Sequence, residues 1–247
     1  KPNILENLIV KNIYPRIPLN QNEPRTLGEL FKIALAKHPR KDALNFKQDG
    51  EWKSISSDEM LLRAENIALG LNSIGIKKGD RIAILSANSP NWTIADAGCQ
   101  LIGIIDVPIY TTLAPHSIEY IINDSGAKVF FLQDHATYER LAEILPKCKT
   151  LEKIVLFADS EAAAENVMSL RNLEKLGEDL RKAQPNLLEE LTQSIEKDDV
   201  ATLIYTSGTT GEPKGVMLTH RNLVSNVIDC GADFNFSEKD VPLSVLP

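Results

Sequence analysis

The stretch from Arg81 to Tyr110, "RIAILSANSPNWTIADAGCQLIGIIDVPIY", decides the fold. Its first six residues form a short apolar run that predicts a buried strand. Ser89 and Pro90 then predict a helix start, because serine caps helices well and proline is favoured at the first helical position. The final "DVPIY" predicts a second extended segment. This order of strand, helix and strand indicates a parallel pair joined by a crossover helix.

The same alternation continues downstream. Pro115 predicts a helix that ends at "NDSGA", and "ATYERLAEILPKC" predicts another. Further strands are predicted at "KVFFL", "LEKIVLF" and "ATLIYTS". Strands that are apolar almost throughout are typical of a sheet covered on both faces. We therefore predict an α/β fold in which a mainly parallel sheet is flanked by helices.

The residues upstream of this stretch predict two helices and a hairpin. Thr26 with Glu29, and Ser56 with Glu59, fit the capping-box pattern at a helix start. Asp49-Gly50 lies between the two boxes and predicts the turn of a β-hairpin. Farther along, residues 159–199 become polar and helix-forming. We predict two or three surface helices there, because charge of this kind usually marks a solvated face.

Composition excludes several classes of protein. The formal net charge is −7, and no run of four or more basic residues occurs, so we expect no nucleic-acid partner. The three cysteines are far apart and form no CxxC pair, which favours a reduced compartment and argues against a zinc site. No signal peptide is evident, and no apolar run approaches the length of a membrane span. We therefore expect a cytoplasmic protein.

A loop rich in glycine and hydroxyl groups follows the last predicted strand. Four of the five residues from Thr206 to Thr210 carry hydroxyls, and Gly208, Gly211 and Gly215 surround the single Lys214. Backbone N–H groups of such a loop can wrap phosphate oxygens, hydroxyls add donors, and lysine adds a positive charge. The pattern matches neither the Walker loop nor GxGxxG. The residues alone leave open a plain glycine-rich hairpin, but phosphate binding is the favoured interpretation.

The segment "YTSGTTGEPKGVMLTH" resembles the phosphate-loop signature of the AMP-dependent synthetase and ligase family, the adenylate-forming enzymes. The upstream "KKGDRIAILSANSPNW" and the early "TLGELF" are also similar to that family, so the resemblance covers essentially the whole chain. The sequence from "PNLLEEL" to "HRNLV" is most similar to that of bacterial long-chain fatty acyl-CoA synthetases. The resemblance implies a first step in which a carboxylate attacks the α-phosphate of ATP, and a second in which coenzyme A displaces AMP.

The resemblance also implies roles for the loop residues between positions 206 and 215. Lys214 would assist the charge of pyrophosphate, and one threonine hydroxyl would approach Mg²⁺. The residue that ligates the metal is left unassigned. The positions that would line the β- and γ-phosphates of ATP are Thr206, Ser207, Gly208, Thr209, Thr210 and Gly211.

Members of this family are longer than this chain, and their later catalytic segments do not occur in it. We therefore expect an N-terminal part of a larger enzyme that is inactive alone. The resemblance assigns residues 1–78 to an incomplete second lobe and residues 79–247 to the α/β lobe. The early helices would then dock elsewhere or expose apolar surface, and the chain could associate with itself. A peripheral contact with the inner face of the membrane is also expected, for collecting fatty acid.

Alternatives to a long-chain fatty acid ligase remain open at this point. One is adenylation of another carboxylic acid, and another is a nucleotide-binding module without turnover. Two further residues have two interpretations each. His220 either lies near ATP or plays a structural part at a helix start, and the structural part is favoured. Tyr110 either faces the cleft or packs in the core.

Overall fold

The computed structural model describes residues 23–158, 164–206, 213–234, 237 and 240–244. Two sheets are present in this part of the chain. A small antiparallel hairpin pairs β1 (Leu44–Gln48) with β2 (Glu51–Ile55). Its turn residues Asp49 and Gly50 both have positive φ, at 53° and 85°, as the predicted hairpin turn requires.

The larger sheet has seven strands among the described residues, in the spatial order β7-β6-β5-β3-β4-β8-β9. Neighbouring strands run parallel from β7 to β8, and β9 alone is antiparallel to its neighbour β8. The predicted α/β fold with a mainly parallel sheet is therefore confirmed. The strands are β3 (Arg81–Leu85), β4 (Ile105–Pro108), β5 (Val129–Leu132), β6 (Lys153–Leu156), β7 (Val167–Ser169), β8 (Val200–Thr206) and β9 (Lys214–Thr219).

Helices cover both faces of this sheet. Adjacent residues of β5 point to opposite faces of the sheet, and each face carries an apolar core. Phe131 belongs to one core and Phe130 to the other, and both are fully buried. The helices are α1 (Leu27–Lys37), α2 (Ser57–Ser73), α3 (Pro90–Leu101), α4 (Pro115–Ser125), α5 (His135–Leu141), α6 (Leu170–Ala183), α7 (Leu187–Gln193) and α8 (His220–Asp233), with a short 3₁₀ turn at Leu145–Lys147.

The predicted helix starts are confirmed in most details. The hydroxyls of Thr26, Ser56 and Ser89 each accept a hydrogen bond from the backbone N–H three residues later. The reciprocal half of the capping box is absent at both starts among the described residues. The Glu29 carboxylate accepts instead from the N–H of Arg25 at 2.6 Å, and at Ser56 only the serine half of the box forms. Helix α4 ends, as expected, before Gly126, which has a left-handed φ of 66°.

The segment from residue 159 to residue 199 differs from the prediction. Its described residues, 164–199, form two helices, α6 and α7, but β7 precedes them and extends the sheet at its edge. Helix α6 also packs closely on α2, so the segment is part of the core on one side. The two helices approach so closely that a Cβ atom built on Gly177 would lie 1.8 Å from the backbone oxygen of Asn66.

The early helices dock on the same sheet. Helix α2 contributes Ile67 and Leu71 to the core that also holds Ile82 of β3, and α1 approaches α3 where Gly28 meets the backbone of Gln100. The boundary near residue 78 stays a prediction. No helix in the described ranges is long and apolar enough to cross a membrane.

Candidate functional site

Strands β8 and β9 form the hairpin that carries the predicted phosphate loop. Thr206 and Lys214 are directly paired across it, as the last pair of its ladder, and both are exposed. These two predicted site residues are thus brought together. The other predicted positions lie outside the described residues, and their phosphate contacts stay predictions: Ser207, Gly208, Thr209, Thr210 and Gly211.

Tyr205 anchors this hairpin just before the loop. Its buried hydroxyl donates a 2.6 Å hydrogen bond to a carboxylate oxygen of Asp124 at the end of α4. Burial raises the pKa of Tyr205, and the nearby Asp124 carboxylate raises it further, so the hydroxyl keeps its proton. Gly215 faces the ring, and a Cβ atom there would lie 3.1 Å from the ring carbon Cζ. Sequence reasoning missed this contact, because the residues it joins are far apart in the chain.

A cavity of about 700 Å³ opens at the carboxyl ends of the central strands. Helix α3 follows β3 and packs on one face of the sheet, whereas α4 follows β4 and packs on the other. The loops after β3 and β4 therefore diverge, which makes a crevice of the kind that binds ligands in open parallel sheets. The lining residues are Leu27, Ser86, Ala87, Asn88, Trp92, Asp96, Gln100, Asp106, Pro108, Ile109, Tyr110, Thr111, Thr112, Thr202, Ile204, Leu223 and Ser244.

Two aromatic residues lie at this cavity. Tyr110 lines the cavity and is 48% exposed, so the cleft-facing interpretation of this residue is the one observed. Trp92 lines the cavity and also packs partly against the core beneath α3. The crevice therefore has aromatic groups within reach of a bound molecule.

A polar cluster lies in the wall of the cavity, where sequence reasoning predicted nothing. The Gln100 Nε2 atom donates to carboxylate oxygens of Asp96 and Asp106, each at 3.1 Å, and to the Ala201 carbonyl at 3.3 Å. The Thr202 hydroxyl donates to the backbone carbonyl of Asp106 at 3.2 Å. Burial raises the pKa of Asp96 to about 6, and burial together with the Asp96 charge raises the pKa of Asp106 well above its usual range.

His220 is fully buried at the start of α8. Its Nδ1 atom accepts a 3.3 Å hydrogen bond from the backbone N–H of Leu27, which ties α8 to the start of α1. Burial lowers the pKa of His220, so the ring is neutral. The residue is not among those lining the cavity, and its contacts fit the structural interpretation.

Comparison with known proteins identifies the family. Residues 31–247 match the AMP-binding enzyme family. The fatty acyl-CoA synthetase A of Dictyostelium discoideum is 37% identical over 211 residues, covering 80% of this chain and 30% of that protein. The long-chain-fatty-acid–CoA ligase FadD15 of Mycobacterium bovis is 33% identical over 210 residues, covering 83% of this chain and 34% of that protein.

A solved structure shows the same fold. The long-chain-fatty-acid-CoA ligase FadD1 of Archaeoglobus fulgidus superposes with a TM-score of 0.65 at 24% identity, covering 85% of this chain and 40% of that one. The chain spans about a third of the length of the two relatives above. The family match extends over most of the chain and includes both strands of the loop hairpin. The chain therefore belongs to the AMP-binding enzyme family.

Proposed function

We propose that this chain is the N-terminal part of an ATP-dependent long-chain fatty acid–CoA ligase. The family match and the names of the relatives support the reaction class. The observation that carries the proposal is the pairing of Thr206 with Lys214 at the carboxyl end of β8. This pairing holds a lysine charge and a hydroxyl at the base of a loop whose composition suits phosphate.

The reaction would proceed in two steps. A carboxylate oxygen of the fatty acid attacks the α-phosphorus of ATP, and the bond to pyrophosphate breaks. The coenzyme A thiolate then attacks the acyl carbon of the acyl-adenylate, and AMP leaves. The protein's contribution to such chemistry is to position the reactants and to offset developing charge. Lys214 offsets charge on the departing pyrophosphate, and the residues from Thr206 to Gly211 bind the β- and γ-phosphates.

Mg²⁺ is part of this proposal, and a threonine hydroxyl of the loop between residues 206 and 211 would help to hold it. No group of three or more His, Cys, Asp and Glu side chains that could hold a metal occurs in the described part of the chain. Mg²⁺, when bound, supplies positive charge that stabilises the phosphates in the first step.

Several further parts of the proposal concern the whole protein. Because the chain covers about a third of its relatives, we propose that it does not complete the reaction by itself. We also propose a cytoplasmic protein that contacts the inner membrane face peripherally to collect fatty acid. The absence of a spanning helix in the described residues is compatible with this location. Self-association of the isolated chain would follow if apolar surface stays uncovered, and Met217 on β9 is 67% exposed.

The test is acid-dependent release of pyrophosphate by the complete protein that contains these residues. Mg-ATP is supplied with acetate, benzoate or palmitate, and release with palmitate is the expected result. Lys214→Ala should lower the rate by about 10²-fold, because a charge aimed at the leaving group is lost. Lys147→Ala is the matched control, since Lys147 is an exposed lysine paired only with Glu143 among the ion pairs of the described residues.

Two other outcomes would contradict the proposal. Release with acetate or benzoate but not with palmitate would show an adenylating enzyme for another acid. ATP affinity that falls in Lys214→Ala, with no product from any acid, would show a nucleotide-binding module instead.

A further inference from the structure

The wall of the cavity holds two carboxyl groups that no basic residue accompanies among the described lining residues. Asp96 and Asp106 both line the cavity, and no Lys, Arg or His of the described part of the chain is among its lining residues. Asp106 is 4% exposed, and Asp96 is partly open to the cavity. Two carboxyl groups held this close, away from bulk water, are costly unless a proton or another cation accompanies them.

The same cluster has fewer N–H donors than acceptors. Gln100 is 3% exposed, and its Nε2 atom has two protons for three acceptors, Asp96, Asp106 and the carbonyl of Ala201. Its Oε1 atom is buried and has no hydrogen-bond partner within the described part of the chain. An unpaired buried acceptor is unfavourable. A ligand that suits this wall would therefore be positively charged and would carry several N–H or O–H groups.

Aromatic rings complete the environment. Trp92, Asp96 and Gln100 are spaced four residues apart on α3, so they lie along one face of the helix, and all three line the cavity. Tyr110 lines it from the loop after β4. Aromatic faces beside carboxylates are the combination that binds organic ammonium ions, through cation–π attraction and charge-assisted hydrogen bonds.

We propose that this cavity binds a primary organic ammonium ion, whose N–H groups donate to the carboxylates of Asp96 and Asp106. The positive charge and the N–H donors of such an ion suit a pair of carboxylates. Its carbon chain would lie along the apolar part of the lining, which includes Leu27, Ile109 and Ile204. A divalent metal fits less well, because the cluster offers two carboxylates and no group of three metal-binding side chains occurs in the described residues.

The protonation of the pair provides a further check on this site. Without a cation, burial holds the pKa of Asp96 at about 6 and that of Asp106 higher still. Burial also raises the pKa of the adjacent Cys99 thiol, which therefore stays neutral and adds no charge. Binding of an ammonium ion favours the ionised carboxylates and so releases a proton. The affinity of the cavity for an ammonium ion should then rise as the pH is raised from about 5 to about 7.

The experiment is titration calorimetry on the protein in the absence of ATP, so its outcome is independent of the adenylation proposal. The probes are hexylammonium and ε-aminocaproate, with hexanol as the uncharged control. Hexylammonium should bind at least about tenfold more tightly than hexanol. A comparison of buffers with different ionisation enthalpies should show proton release on binding. If ε-aminocaproate binds more tightly than hexylammonium, the natural ligand is the amino group of a molecule that also carries a carboxylate. If hexylammonium binds more tightly, the natural ligand is an amine without a carboxylate.

Two neutral variants and one control identify the residues responsible. Asp106→Asn and Asp96→Asn should each weaken hexylammonium binding by about tenfold or more and reduce the proton release. Circular dichroism and thermal unfolding check that each variant is folded. If Asp106→Asn does not fold, the binding measurement on Asp96→Asn alone tests the proposal. Asp42→Asn, at an exposed aspartate paired with Arg40, should bind as the unmodified protein does. Equal affinity for hexylammonium and hexanol, no binding of either ammonium probe, or unchanged affinity in a folded variant would overturn the proposal.

Discussion

The hydroxyl of Tyr205 donates a hydrogen bond of 2.6 Å to the carboxylate of Asp124, and this contact joins β8 to the end of α4. It lies one residue before Thr206, the first predicted phosphate-binding position. The ring of Tyr205 meanwhile occupies the space that a side chain at position 215 would need. The glycine after Lys214 in the loop signature therefore has a structural reason, because it makes room for the residue that anchors the preceding strand.

Removing this hydroxyl should destabilise the fold modestly. We expect Tyr205→Phe to lower the free energy of unfolding by about 1 kcal/mol, because a partly buried hydrogen bond is lost, although the exposed Asp124 can recover water. Urea unfolding followed by circular dichroism measures the change. Tyr138→Phe is the matched control, since Tyr138 is also partly buried and no hydrogen bond of its hydroxyl occurs among the described residues. An equal loss in both variants would refute the role of the Asp124 bond.

Gly215→Ala tests the space beside the ring. Alanine is normally more favourable than glycine within a strand, so the substitution would be expected to raise stability if the space beside position 215 were open. We predict instead a loss of about 1 to 2 kcal/mol, because the new Cβ atom displaces the Tyr205 ring. The loss should be smaller by about 0.5 kcal/mol or more in the Tyr205→Phe background, where the bond to Asp124 is already absent. Strict additivity in this double-mutant cycle would contradict the coupling.

Local sequence signals predicted much of this fold. The Ser89-Pro90 helix start and the Asp49-Gly50 turn depend on adjacent residues, and the structure confirms both. The three-residue strand β7 was missed because so short a segment shows no alternation. It forms because β6 offers an unpaired edge.

The candidate site was predicted only in part, for a related reason. The loop signature named Thr206 and Lys214, since its residues are contiguous, and the fold places the two opposite each other. The Gln100 cluster joins α3 to a carbonyl 101 residues away, and the Tyr205 bond spans 81 residues. Contacts at such separations depend on strand order, which no local pattern specifies.

The contact between α2 and α6 makes a sharper prediction about packing. Gly177 faces the backbone of Asn66, and a Cβ atom there would lie 1.8 Å from its oxygen. Gly177→Ala should therefore lower the free energy of unfolding by about 3 kcal/mol or more, because the helices must separate. Gly231→Ala is the control within α8, where a Cβ atom meets nothing within 4 Å. It should stabilise the protein by about 0.5 to 1 kcal/mol through helix propensity. Similar effects of the two substitutions, measured by urea unfolding, would show that the helices do not touch at Gly177.

The buried ring of His220 should make stability depend on pH. Burial lowers its pKa in the folded state below the ordinary value of 6.5. The unfolded chain therefore binds a proton that the folded chain does not, and this contribution to stability is lost as the pH falls from about 6.5 toward the folded-state pKa. His220→Asn places an amide oxygen near the position of Nδ1, so it can still accept from Leu27 but does not titrate. Urea unfolding at several pH values should show a shallower acid-side loss of stability in His220→Asn than in the unmodified protein. His116→Asn, at an exposed histidine, should leave the profile unchanged, and a profile unaffected by His220→Asn would rule out this residue as the cause.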